Sequence, residues 1–215
     1  MSDDTFRRLI EQGDVDGVRR ALERDATLAN RTIRWHLNQN NETDPLHYVS
    51  DCVGQGWLTN GREGEIAELL LAHGAAINGN EGRESPLIGS ASLGAEKVST
   101  VLIQAGAALE ATALYNASAL HWAAWVGASR TVEQLVARGV ELEAKDSEFG
   151  ATPLFWAVHG YGPNGPEKND QVGAARILLA AGANARTSNK EGCSALEMAD
   201  SCAARDMYEL LKQHV

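Results

Sequence analysis

Apolar side chains recur along this chain at helical spacing, in short stretches that close at a glycine. Val98, Val101 and Leu102 fall on one face of a helix, and so do Val132, Leu135 and Val136. Ile66-Ala67-Glu68-Leu69-Leu70-Leu71-Ala72-His73 runs into Gly74, and three further apolar stretches close at Gly106, Gly139 and Gly182. A glycine at that place predicts a left-handed residue ending the helix. A shorter apolar stretch precedes each of these, and Gly94 and Gly127 mark the turn between two such partners. The pattern therefore predicts helix pairs joined by polar stretches rich in Asn, Asp and Gly.

The pairs repeat. Asp44-Pro45-Leu46-His47-Tyr48-Val49, Ser85-Pro86-Leu87-Ile88-Gly89-Ser90, Ser118-Ala119-Leu120-His121-Trp122-Ala123, Thr152-Pro153-Leu154-Phe155-Trp156-Ala157 and Ser194-Ala195-Leu196-Glu197-Met198-Ala199 align on their leucine. The leucines are 41, 33, 34 and 42 residues apart. Asp44, Ser85, Ser118, Thr152 and Ser194 each place an oxygen where it caps a helix. Pro45, Pro86 and Pro153 follow at the first helical position, where no amide hydrogen is needed. From leucine to closing glycine the first four units run 28, 19, 19 and 28 residues. The first and fourth thus carry insertions, near 53–64 and 160–171, each between the two helices of its unit and each holding an aromatic, Trp57 or Tyr161.

Residues Leu46 to Leu211 resemble the ankyrin-repeat family, whose units open on Thr-Pro-Leu-His-x-Ala and close their second helix on Gly-Ala. Asp44-Pro45-Leu46-His47 and Ala119-Leu120-His121-Trp122-Ala123-Ala124 carry the opening, and Gly74-Ala75, Gly106-Ala107 and Gly182-Ala183 the close. Ile88, Phe155 and Glu197 replace the histidine, so those units lack its imidazole hydrogen bonds. The resemblance implies an all-α solenoid of about six helix pairs with β-hairpin or loop fingers, spanning 1–215 as one domain. Within it, 1–32 is a degenerate N-terminal capping helix pair, 33–43 an Asn-rich loop and 44–215 five repeats. Phe6, Leu9 and Ile10 form one apolar face of the cap and Val18, Ala21 and Leu22 the other, with Arg7, Arg8, Arg19, Arg20 and Arg24 suiting a wet outer side. The resemblance gives His47 and His121 turn-stabilising roles.

In that family the first helix of each pair lines a concave side. Given this, helical geometry turns the residues two and five after each leucine toward the groove. They are Tyr48 and Asp51, Gly89 and Ser92, Trp122 and Trp125, Trp156 and His159, and Met198 and Ser201. An aromatic wall, a small floor at Gly89 and Ser92, and an acid opposite make a pocket. The expected function is a non-enzymatic interaction module, a scaffold binding an unidentified protein or peptide. Its candidate contacts are Tyr48, Asp51, Trp57, Ser92, Trp122, Trp125, Trp156, His159 and Tyr161. The alternative is a small-molecule site or an enzyme, roofed by both insertions, with Asp51 and His159 as an acid–base pair.

Composition narrows the choice. With 19 Lys and Arg against 29 Asp and Glu, the net charge of −10 argues against nucleic acid and against anionic lipid. No apolar run approaches the roughly 20 residues that span a bilayer. The polar start Met1-Ser2-Asp3-Asp4-Thr5-Phe6-Arg7-Arg8 leads to the expectation of no secretory signal. Cys52, Cys193 and Cys202 read as free thiols, which fits the cytoplasm. His36, His47, His73, His121, His159 and His214 show no metal-ligand spacing, so no metal is expected. Gly160-Tyr161-Gly162-Pro163-Asn164-Gly165 spells G-x-G-x-x-G but follows no strand, and its prolines spoil a helix start. No cofactor is expected.

Overall fold

The computed structural model describes residues 3–35, 41–80, 82–162, 165–166, 170–201 and 204–215. His36, Pro163, Asn164 and Cys202, named above, lie outside them. The architecture is mostly helical, and the chain falls into two compact units, Met1–Ala108 and Leu109–Val215.

The first unit opens with α1 (Asp3–Glu11) and α2 (Val15–Arg24), which bury Phe6 and Ile10 against Val18, Ala21 and Leu22 as the apolar spacing predicts. Gly13 turns the chain between them at a φ of 64°, and Asp14 caps α2 by accepting from the Gly17 amide at 2.9 Å. A single 3-10 turn over Ala26–Asn30 follows. The segment expected to be loop instead forms a short antiparallel hairpin at its ends, β1 (Ile33–Trp35) with β2 (Asn41–Thr43). Ile33 and Trp35 point inward while Arg34 points out and meets Glu42 at 2.7 Å. That period of two was hidden by the neighbouring asparagines.

Next come α3 (Pro45–Gly54) with α4 (Glu63–Ala72), and α5 (Pro86–Ser92) with α6 (Glu96–Ala105). Leu46, Val49, Ile66, Leu70, Leu87 and Leu102 are among the residues filling the interior between them. Ser85 caps α5 through the Ile88 amide. Asp44 does not cap α3, contrary to the sequence pattern. Its carboxylate is taken by the loop that follows, accepting from Asn80 Nδ2 at 2.6 Å and the Asn80 amide at 3.0 Å, with Arg83 3.3 Å away. Those charge-assisted bonds outcompete a cap.

The second unit repeats the plan with α7 (Ala119–Val126) and α8 (Ser129–Ala137), α9 (Pro153–Tyr161) and α10 (Gln171–Ala180), and α11 (Ala195–Ser201) and α12 (Arg205–Lys212). Leu120, Val132, Leu135, Leu154, Leu178 and Leu211 belong to its core. Thr152 caps α9. At α7, Ser118 and His121 form a reciprocal capping box, and the imidazole Nε2 lies 3.1 Å from the Ala144 carbonyl. His121 therefore ties its helix to the next loop; burial lowers its pKa and keeps it neutral. Glu197, which stands where the imidazole would be, supplies the capping half of this by other chemistry. Its carboxylate accepts from the Ser194 amide at 2.8 Å and hydroxyl at 2.6 Å. Gly74, Gly106, Gly139 and Gly182 all take positive φ at the ends of second helices.

Candidate functional site

In the second unit, three connecting loops are joined in series by backbone bonds. The Ser147 amide donates to the Tyr115 carbonyl at 2.6 Å, and the Lys190 amide donates to the Phe149 carbonyl at 2.8 Å. Beside this series lie the first helices α7, α9 and α11. Loops and helices line an open-mouthed cavity of about 660 Å³. Its walls are Trp122 and Trp125 from α7, Phe155, Trp156 and His159 from α9, and Met198 from α11. Tyr115, Glu148, Phe149, Ala151, Asn189, Lys190, Glu191 and Cys193 come from the loops. The size is that of an ordinary ligand site, and six Phe, Tyr and Trp side chains stand among the lining residues.

The register of α7 against α9 makes the wall. Trp122 meets Trp156 edge to face, with centroids 5.0 Å apart at 80°, and meets Trp125 at 5.9 Å and 80°. Such close approach needs Gly160. A Cβ there would stand 2.0 Å from the Trp125 carbonyl oxygen. Trp156 is buried, and its Nε1 donates to Asp146 Oδ2 at 2.9 Å. The other indole is less settled, because Trp122 Nε1 is buried without a hydrogen-bond partner among the described residues.

Asp146 organises the loop above. Its carboxylate also accepts from the amides of Glu148 at 2.8 Å, Phe149 at 2.6 Å and Ala151 at 3.0 Å. Burial pushes its pKa up, but these bonds, the Trp156 bond foremost, prevail and hold it below the usual carboxylate value. The loop thus presents Phe149, which is 50% exposed. Tyr115, 38% exposed, faces it with ring centroids 6.0 Å apart. Tyr115 and Asn116 take φ of 64° and 54°, left-handed values that side chains rarely adopt. Thr112 Oγ1 donates to Asn116 Oδ1 at 2.8 Å and steadies that turn.

Of the residues singled out in the sequence, Trp122, Trp125, Trp156 and His159 are brought together on this cavity. Tyr48, Asp51, Trp57 and Ser92 belong to the first unit. Tyr48 is wholly buried, and its hydroxyl donates to Glu11 at 2.6 Å. Glu11 of α1 takes the hydroxyl and Trp35 of β1 lies beside the ring at 5.8 Å, so Tyr48 is a core residue and not a groove residue. The small floor expected at Gly89 is already filled, since a Cβ there would meet the His47 ring at 2.4 Å. Ser92 Oγ donates back to the Gly89 carbonyl of its own helix. Trp57, 43% exposed, packs edge-on against Trp35 at 5.6 Å. Tyr161 is exposed at the end of α9, and no described residue of either insertion lines the cavity.

The acid–base pair expected of Asp51 and His159 is not supported by what surrounds Asp51. Its carboxylate lies 3.7 Å from His47 Nε2. Burial, then Glu84, pushes its pKa up to about 7. His47 is lowered by burial, so both members of this contact favour their neutral forms. The thiol of Cys52 is likewise pushed up by burial, which makes it a poor nucleophile. Among the described residues, no group of three or more His, Cys, Asp or Glu side chains is placed to hold a metal ion.

Sequence reasoning missed Tyr115, Asp146, Phe149 and Phe155, and it turned Met198 toward the groove without counting it among the contacts. The available signal was at Phe149, which follows the polar run Lys145-Asp146-Ser147-Glu148 just before a helix start, where burial in a core is not expected.

A family model for ankyrin repeats in three copies matches residues 59–146 and 120–214. Palmitoyltransferase Hip14 of Drosophila melanogaster is 33% identical over 79 residues, which is 37% of this chain and 11% of that protein. The chain therefore spans about a tenth of the length of that relative.

Proposed function

The chain belongs to the ankyrin-repeat family, and on that premise we propose that its second unit is a protein-interaction module taking a short segment of a partner into the aromatic cavity. Ankyrin repeats are generally protein–protein interaction modules. The observation that carries the reading is the aromatic cavity of about 660 Å³, with Phe149 and Tyr115 left open to solvent at its edge. Exposed rings grouped around a hollow are costly unless something covers them, and aromatic side chains are the usual anchors of interfaces. The left-handed Tyr115 adds to this, since backbone strain of about 1–3 kcal/mol persists only where the surroundings hold it. Cys52 is a free thiol, which fits work in a reducing compartment such as the cytoplasm. Among the described residues no helix is long and apolar enough to cross a membrane.

A phage-displayed random peptide library selected on the purified chain tests the reading. Enriched peptides should quench the fluorescence of the cavity tryptophans and should lose binding to Phe149→Ala. Enrichment of nothing, or of peptides indifferent to that substitution, would overturn it.

A further inference from the structure

We propose that the side chain seated in this cavity is an arginine of the partner segment, its guanidinium stacked on the tryptophan wall and paired with Glu148 and Glu191. The inference rests on the reading of the cavity as a peptide site, and three observations carry it.

The first is the rim charge. Glu148 and Glu191 both line the cavity and both have exposed side chains. Neither carboxylate has a hydrogen bond or ion pair among the described residues, although each backbone amide does. Lys190 lines the cavity too, its ammonium group donating to the Ser147 carbonyl, and its single positive charge offsets only one of the two carboxylates. The charge left over at the mouth is negative, and it asks for a cation.

The second is the shape of the wall. Trp122 is set nearly perpendicular to both Trp125 and Trp156. A corner of rings offers flat negative faces, which attract a cation within about 6 Å of a centroid. The third is the electronics of one ring. Trp156 donates its indole N–H to the buried carboxylate of Asp146. A full negative charge on that hydrogen bond pushes electron density into the indole and makes its face a better seat for a cation.

Arginine fits these features better than the other candidates. Its guanidinium is planar and weakly hydrated, so it stacks on an indole while its in-plane N–H groups reach a carboxylate. A lysine ammonium is more strongly hydrated and gives up more to enter an aromatic site. A proline ring would stack equally well but would leave both carboxylates unanswered.

The test uses the full chain and a positional library of capped hexapeptides, with binding read by fluorescence anisotropy. Pools fixed as arginine should bind best. Replacing that arginine by citrulline, which keeps the shape and removes the charge, should weaken binding by about tenfold or more. Lysine should fall between them. Against the double variant Glu148→Gln/Glu191→Gln, which removes two exposed charges and no packing, the advantage of arginine over citrulline should shrink several-fold to the part the rings supply, with an unchanged circular dichroism spectrum as the folding control, and an undiminished advantage would overturn the pairing with the two carboxylates. Equal binding of arginine and citrulline peptides, or a preference for proline pools, would overturn the arginine assignment while leaving the peptide site standing. Binding that ignores Phe149→Ala in every pool would sink both.

Discussion

Trp156 and Asp146 are joined by one hydrogen bond, indole Nε1 to carboxylate Oδ2 at 2.9 Å, that couples the cavity wall to the loop above it. The same carboxylate gathers three backbone amides of that loop. Asp146→Ala should therefore cost more than a single contact. Hydrogen bonds to charged groups contribute about 1.5–3 kcal/mol each, and several here are buried, so a loss of about 3 kcal/mol is expected in urea unfolding followed by tryptophan fluorescence. Peptide binding should fall with it, because Phe149 and Trp156 lose their common anchor.

Asp146 and Asp51 give opposite pH dependences. Asp146 is held below its ordinary value, so its ionised form stabilises the fold above the unfolded pKa of about 3.9. That contribution is lost as pH falls through the lower folded value. Asp51 is raised to about 7, so the folded chain binds the extra proton, and stability declines as pH rises from about 3.9 toward that value. Amide hydrogen exchange reads each unit by itself. Asp146→Asn should remove the acid-side loss in α9, and Asp51→Asn should remove the decline in α3. A wild-type α3 whose protection is flat between pH 4 and pH 7 would contradict the second expectation.

Gly160 is fixed by the wall it permits. A Cβ would overlap the Trp125 carbonyl oxygen, so Gly160→Ala must push α9 away from α7. Overpacking of this kind costs about 1–3 kcal/mol. Peptide affinity should drop further than stability alone explains, since Trp122 and Trp156 separate.

Tyr115 offers a test in which stability and binding move in opposite directions. Its φ of 64° suits glycine. Tyr115→Gly should leave the fold as stable or raise stability by about 1 kcal/mol, while removing a ring from the cavity and weakening peptide binding several-fold. Loss of both stability and binding would show that Tyr115 is a packing residue.

Gly89 and His47 should prove coupled in the first unit. Gly89→Ala drives a Cβ into the imidazole and should cost about 1–3 kcal/mol. In His47→Ala the space is open, so the second substitution should cost much less, and a double-mutant cycle measures the difference.

The helix pairs, their caps save at Asp44, and their closing glycines were legible because each is a local matter. Pro45, Pro86 and Pro153 and the left-handed glycines act within a turn or two of chain, and the apolar spacing states which side of each helix is buried. The same geometry brought Trp122, Trp125, Trp156 and His159 to one place. It failed at Tyr48, which holds the equivalent position to Trp122 but is buried beside Glu11 and Trp35. It failed again at Gly89, where an absent side chain reads as room although the His47 ring fills it.

Sequence alone determined the repeat, its register and the aromatic character of one stretch, because those follow from residue types at fixed intervals along a helix. Tertiary structure decided which of those positions stay open, and it added Tyr115, Phe149 and Asp146 from loops whose spacing carries no period. The physical reason is that burial and hydrogen-bond partnership belong to pairs of residues distant in the chain. What faces a side chain is set by the neighbour that packs on it, and no local pattern names that neighbour.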